Sequence, residues 1–301
     1  METAQLDDRP PRLRVGTAPD SWGVWFADDP AQVPWSRFLD EVVAAGYTWI
    51  ELGPYGYLPT DPHQLEDELG SRGLRLSAGT VFTALHRGEE QWREALVQAR
   101  RIAGLVTSLG AEHLVVIPDL WRSDGTGEPL EPRTIDDEQW SSLAEGHDLL
   151  GRTLLEEFGV SQQFHTLADS HVGTTEEVLR LLDRTDPRYV NLCLDTGHFA
   201  YYGGDSVALM AERPDRIGYL HLKQVDDEVL REVRENDVPF ASAVAAGVMC
   251  EPPGGTPDLL AVLDIAARID PDMFAIVEQD MYGCSVDAPL PIARRTREHL
   301  S

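Results

Sequence analysis

Several short apolar runs in the second half of the sequence end on a group that can hold a metal or move a proton. The run 160–165 ends in His165 and the run 190–195 in Asp195. The run 217–223 carries His221 and Lys223, and 274–278 ends in Glu278. His165, Asp195, His221 and Glu278 together give two imidazoles and two carboxylates. That donor set suits manganese, cobalt, iron or zinc better than calcium, with magnesium as a harder alternative. His198 follows Asp195 by three residues, placed to be a fifth ligand or to orient one from behind.

Lysine occurs once. Of the 25 basic residues, 24 are arginine and the other is Lys223. A lysine ammonium is a compact point charge that a guanidinium does not replace. Lys223 lies two residues after His221, so both side chains share one face of a strand. Beside a metal, an ammonium could bind a substrate oxygen or stabilise a developing enolate.

These groups need a scaffold that gathers strand ends. Strand-like runs at 13–17, 48–52, 74–79, 113–118, 160–165, 190–195, 217–223 and 274–278 alternate with helical patterns near 34–45, 62–72, 89–109, 137–158, 174–183, 204–213, 226–247 with 257–269, and 289–300. Eight alternations with near-continuously apolar strands predict an α/β fold, a single-domain (β/α)8 TIM barrel over 13–301, after a flexible tail at 1–12. A doubly wound open sheet is the alternative, but no Gly-x-Gly-x-x-Gly follows the first run. Residues 119–136 form the longest polar insertion.

A barrel of this kind builds its site at the C-terminal ends of its strands. That placement nominates Glu51, Trp22, His86 and His171 for substrate binding. Trp25 and Phe26, and Trp121, Tyr201 and Tyr202, are candidates for apolar walls. Arg87 and Arg122 are candidates for a phosphate, if the substrate carries one.

With 52 acidic residues against 25 basic ones, the formal charge of the 301-residue chain is −27. Such a surface repels phosphate backbones and anionic lipid, so nucleic-acid and membrane partners are not expected. No apolar run approaches the ~18 residues of a membrane span. The three cysteines are scattered without disulfide or zinc-finger spacing. A cytoplasmic location is the expectation.

The segments GTAPDSWG, WIELGPYGYLP, CLDTGH, YLHLK and AIVEQD, in this order, resemble the xylose-isomerase-like barrel superfamily across about 13–300. That group includes sugar phosphate isomerases and epimerases, inosose dehydratases and nucleases of the endonuclease IV type. The branch of inosose (2-keto-myo-inositol) dehydratase is the most similar. The resemblance implies one divalent metal, held by Asp195, His221 and Glu278 and by a group from the fifth strand. It also implies a small keto-sugar or cyclitol as partner, and it admits a homodimer or homotetramer.

On the fifth strand, epimerases of the group place a glutamate where this chain has His165. Dehydratase-like relatives read His-Pro-His, then an acidic residue before a threonine. Here the second histidine is Leu167 and the acidic residue is Gly173, which leaves Asp169 or His171 to compensate, or a weakened site. Epimerisation commonly uses two opposed carboxylate bases, whereas loss of a β-hydroxyl next to a carbonyl needs one base and one acid. The reading is therefore a dehydratase-like lyase or one-face isomerase. Glu278 is its base, Lys223 its charge stabiliser, and His198 or His221 its proton carrier. A sugar phosphate epimerase is the alternative within the group. A non-catalytic or complex-subunit barrel is the alternative outside catalysis.

Overall fold

The computed structural model describes residues 13–301; the tail expected at 1–12 lies outside the described residues. Eight parallel strands close a barrel: β1 (Arg14–Thr17), β2 (Trp49–Glu51), β3 (Arg75–Thr83), β4 (His113–Pro118), β5 (Ser161–His165), β6 (Val190–Asp195), β7 (Ile217–Leu222) and β8 (Phe274–Val277). They follow one another in chain order around the barrel, and β8 returns to β1 with Thr17 opposite Val277.

The surrounding layer holds α1 (Trp35–Ala45), α2 (Pro62–Gly70), α3 (Glu89–Ser108), α4 (Asp137–Phe158), α5 (Thr175–Arg184), α6 (Thr196–Tyr201), α7 (Ser206–Glu212), α8 (Asp227–Glu235), α9 (Phe240–Ala245), α10 (Leu259–Ile269) and α11 (Pro289–His299). Local sequence fixes many of the ends. Capping boxes open α4 (Asp136 with Gln139) and α5 (Thr174 with Glu177), satisfying backbone N–H groups the first turn leaves free. Gly46 and Gly159 end α1 and α4 in the left-handed conformation, which glycine adopts without a Cβ penalty. The main core fills the space between strands and helices; Phe38, Leu39, Val42, Leu114 and Leu154 there are fully buried. Full burial of each such side chain contributes about 1.5–3 kcal/mol. Among the described residues, no helix is long and apolar enough to cross a membrane.

Two differences from the expected elements shape the mouth of the barrel. The third strand runs past Gly79 to Thr83, pairing with β4 as far as Thr83 opposite Pro118. Gly79 is needed for packing rather than for a turn: a Cβ there would meet Ile102 Cγ2 of α3 at 2.5 Å. The stretch expected as one helix at 226–247 is two helices. Asp237 takes a left-handed φ of 49° after α8, and Pro239 opens α9. A short antiparallel hairpin, Gln224–Val225 with Met249–Cys250, closes the base of this excursion.

Candidate metal centre and active site

His165 and Asp195 are the last residues of β5 and β6, His221 is the penultimate residue of β7, and Glu278 directly follows β8. The register sets Asp195 beside His221 and Ile276 beside His221, so Glu278 follows at the same level of the mouth. One donor atom from each of the four lies within 4.8 Å of the others, and all four side chains are buried. His165 Nε2 stands 3.4 Å from Asp195 Oδ2, and His221 Nδ1 stands 2.9 Å from Glu278 Oε2. Metal bonds of 2.0–2.1 Å place neighbouring ligand atoms about 3.0–3.4 Å apart.

Two further features suit these residues to a cation. Asp195 Oδ1 accepts from the backbone N–H of His198 and caps α6, which leaves Oδ2 turned to the centre. Asp195 Oδ2 and His221 Nδ1 are buried without a hydrogen-bond partner among the described residues. His221 Nε2 lies 2.8 Å from Glu51 Oε1, which orients the ring so that Nδ1 faces the other donors. Buried donors aimed at one another without aligned hydrogen bonds are what a bound divalent ion would satisfy.

Lys223 rises beside this quartet. Its Nζ lies 2.7 Å from Asp280 Oδ2, 3.2 Å from Asp195 Oδ2, 3.3 Å from Glu278 Oε2 and 3.7 Å from Asp20 Oδ2. Burial alone would push its pKa down, but Asp195, Asp280, Glu278 and Asp20 outweigh burial and hold it well above the ordinary value. Glu278 is pushed up by burial and brought down further by His221 and Lys223, to about 2. The Thr196 hydroxyl donates to the Lys223 carbonyl and accepts from its N–H, fixing the backbone. Gly197 gives the stem its room: a Cβ there would meet Lys223 Cγ at 2.6 Å.

His198 also faces the centre. Burial, then the Lys223 charge, hold it well below its usual pKa, so the ring is neutral. Its Nδ1 accepts from the Ala168 N–H at 3.0 Å, which puts the ring hydrogen on Nε2, 3.6 Å from Asp280 Oδ2. These groups floor a cavity of about 380 Å³. Trp25, Phe26, Phe82, Ile117, Leu167 and Phe240 supply apolar wall, so the expected apolar role of Trp25 and Phe26 agrees with their positions.

Other expected residues lie elsewhere. Trp22 is buried under β1, edge-on to Phe38, with its indole N–H donating to Glu41 Oε2. It is a core residue, because Gly23 turns the chain and presents Trp25 to the cavity instead. His86 and His171 do not line the cavity; both turn to Glu131 in the 119–136 insertion. Glu51 does line the cavity, but its nearest partner is His221.

The change to Leu167 leaves an apolar side chain on the cavity wall. At Gly173 a Cβ would meet the Tyr202 ring at 2.4 Å, so that position is filled by an aromatic packing against the backbone. Asp169 does not compensate, since its Oδ2 accepts from Arg122 Nε at 2.6 Å and from the Phe240 N–H at 2.9 Å. Arg122 also binds Asp237, and Arg87 binds Asp119 and Glu131, so neither guanidinium is free for a phosphate. Asp20 lies three residues past the first apolar run and Asp280 two past the eighth, and nothing in the sequence shows that both reach Lys223.

Comparison with known proteins agrees with the barrel architecture. A family model described as xylose isomerase-like TIM barrel matches residues 39–297. The inosose dehydratase of Geobacillus kaustophilus (strain HTA426) is 29% identical, over 96% of this chain and 94% of that protein. The rhizopine catabolism protein MocC of Rhizobium meliloti is 33% identical, over 92% of this chain and 85% of that protein. Among solved structures, the IolI protein with a bound zinc atom superposes with a TM-score of 0.72 at 16% identity, covering 96% of this chain and 98% of that one. The probable 3-DHS dehydratase AsbF from Bacillus anthracis gives 0.71 at 13% identity, with the same coverages. At these identities the two structures show the shared fold.

Proposed function

We propose, from the premise that the chain belongs to the xylose isomerase-like TIM barrel family, that it is a divalent-metal-dependent dehydratase of a keto-cyclitol or closely related keto-sugar. Relatives named inosose dehydratase, aligned over nearly the whole chain, support a lyase acting on a sugar or cyclitol. The observation that carries dehydration over epimerisation is His165. It occupies the fifth-strand place in the quartet, so Glu278 and Asp195 are its only carboxylates, and Asp195 is committed to capping α6. Of the two quartet carboxylates, Glu278 is then the one that lines the cavity.

His165, Asp195, His221 and Glu278 would hold manganese, cobalt, iron or zinc. Such an ion, when bound, polarises a carbonyl and lowers the cost of removing the adjacent proton. Glu278, ionised at neutral pH, takes the proton from the carbon next to the carbonyl. The Lys223 ammonium stabilises the negative charge that develops on oxygen. His198, neutral with its hydrogen on Nε2, holds the departing β-hydroxyl as a hydrogen-bond donor, and the proton that Glu278 has taken is handed to that hydroxyl as it leaves. A C–H proton and a hydroxyl thus leave the substrate as one water, and Glu278 is ionised again for the next turnover.

The test is incubation of the metal-reconstituted protein with 2-keto-myo-inositol, followed by mass spectrometry and ultraviolet absorbance. Loss of one water with a new enone chromophore is expected, and Glu278→Gln should abolish it while circular dichroism stays unchanged. Product of unchanged mass and inverted stereochemistry would make the enzyme an epimerase instead.

A further inference from the structure

A second cluster of metal-type donors lies outside the cavity. His86 sits in the 3-10 turn Leu85–Arg87 after β3, Glu131 in the 119–136 insertion, and His171 in the loop after β5. Both histidines are about 96–97% buried. His86 Nε2 lies 3.0 and 3.1 Å from the two oxygens of Glu131, and His171 Nε2 lies 3.3 Å from Glu131 Oε1. The two rings meet edge to face, 4.7 Å apart.

The hydrogen positions make this arrangement incomplete by itself. His171 Nδ1 lies 2.9 Å from the Arg133 carbonyl oxygen, which can only accept, so Nδ1 carries the ring hydrogen. In a neutral ring Nε2 then turns a lone pair towards a carboxylate oxygen. That nitrogen is buried and has no hydrogen-bond partner among the described residues. An acceptor facing an acceptor in a buried site calls for a cation between them. A backbone carbonyl holding the far nitrogen is also the usual way a ligating histidine is oriented. Arg87 supplies one positive charge, 2.8 Å from Glu131 Oε1, but it also pairs with Asp119 at 2.9 Å, so the two carboxylates still leave one negative charge over. The separations of 3.0–3.3 Å match the edge of a tetrahedron with 2.0–2.1 Å bonds, about 3.3 Å.

We propose that His86, Glu131 and His171 form a second divalent-cation site, suited to zinc-like ions, that clips the 119–136 insertion to the ends of β3 and β5. Two imidazoles and one carboxylate leave a coordination position for water. The site does not depend on the reaction assigned to the cavity. The clipped insertion carries Leu120 and Asp124, both of which line the cavity, so an ion here would set the rigidity of one wall.

The two sites can be separated by variants. Asp195→Ala removes a ligand from the quartet and leaves the second cluster intact. Chelator-treated full-length proteins would be reloaded with zinc, desalted and assayed for metal, and with cobalt for visible absorption. Two ions per chain are expected in the wild type, one in Asp195→Ala, one in His171→Asn, and none in the double variant. Zinc should also raise the melting temperature of Asp195→Ala but not that of the double variant. Glu131→Gln, closer in shape, repeats the test should His171→Asn fail to fold in chelator. A single wild-type ion that disappears in Asp195→Ala overturns the second site and leaves the first standing. A single ion that survives in Asp195→Ala and disappears in His171→Asn overturns the first and supports the second. A melting temperature of Asp195→Ala that responds to pH but not to zinc would show that a proton on His171 fills the gap, and the proposal falls.

Discussion

Glu51 Oε1 stands 2.8 Å from His221 Nε2 and so joins the ends of β2 and β7, which are not neighbours in the barrel. The pair lets β2 control a candidate metal ligand it does not touch through any backbone hydrogen bond. Glu51→Gln keeps the shape and removes the charge. Outer partners of this kind typically change metal affinity 10–100-fold. A competitive chelator titration should show a loss in that range; unchanged affinity would reduce the pair to a packing contact.

The closeness of Gly197 to the Lys223 stem gives a second prediction. Gly197→Ala would place a methyl 2.6 Å from Lys223 Cγ and 2.8 Å from its Cβ. Overpacking of this sort costs about 1–3 kcal/mol when it is absorbed by shifts. The ammonium would leave its place among Asp195, Glu278 and Asp280. Turnover should fall at least about tenfold, the loss that ~1.4 kcal/mol of transition-state stabilisation produces, with the bound-metal content retained. Wild-type turnover in this variant would remove Lys223 from the mechanism.

Arg122 and Asp169 form an ion pair with side chains only 6% and 3% exposed, and Arg122 extends it to Asp237 and to the Val238 carbonyl. The contact ties the 119–136 insertion and the loop after β5 to the excursion after β7. Removing one member of a buried pair strands the other, at about 3–5 kcal/mol. Arg122→Ala should lower the urea midpoint accordingly, and Arg122→Met with Asp169→Leu should recover part of the loss. A midpoint within error of wild type would show that water reaches the pair.

Acid sensitivity should come partly from His147 and His113. Burial lowers His147 to about 4; burial, followed by the charge of Arg14, does the same for His113. The unfolded chain takes up these protons near pH 6.5 and the folded chain does not until near pH 4. Stability is therefore full above pH 6.5 and falls as the pH drops, by about 3 kcal/mol per histidine at pH 4 and below. His147→Gln should reduce the slope of stability against pH in the window from 6.5 to 4. An unaltered slope would mean that His147 gains its proton without unfolding.

The quartet and Lys223 were legible because each lies at the end of an apolar run, and in a parallel barrel all such ends meet at one mouth. Residues in the loops beyond the strands were not legible in the same way. Trp22 and Trp25 are three residues apart, and only the turn at Gly23 decides which enters the core. His86 and His171 lie beyond the strand ends but off the cavity expected for them, because their direction is set by Glu131, 45 and 40 positions away in sequence. The break of the 226–247 helix was written in Asp237 and Pro239, whose turn chemistry was outweighed by the helical periodicity on either side. Asp20 and Asp280 gained meaning only through their distances to a single ammonium.

Closure of the barrel by β8 against β1 orders events during synthesis. Thr17 donates its hydroxyl to the Val277 carbonyl, and the N–H of Gln279, directly after Glu278, donates to the Ser21 hydroxyl. The first strand can pair with β2 early but must wait for nearly the whole chain before its other edge is covered, a contact of very high sequence separation and correspondingly slow formation. Glu278 arrives with that last strand. A nascent chain can present His165, Asp195 and His221 before its translation ends, but the fourth donor is delivered only by the step that shuts the ring. Metal capture and completion of the fold are thus coupled, and a chain truncated before Phe274 should fail at both.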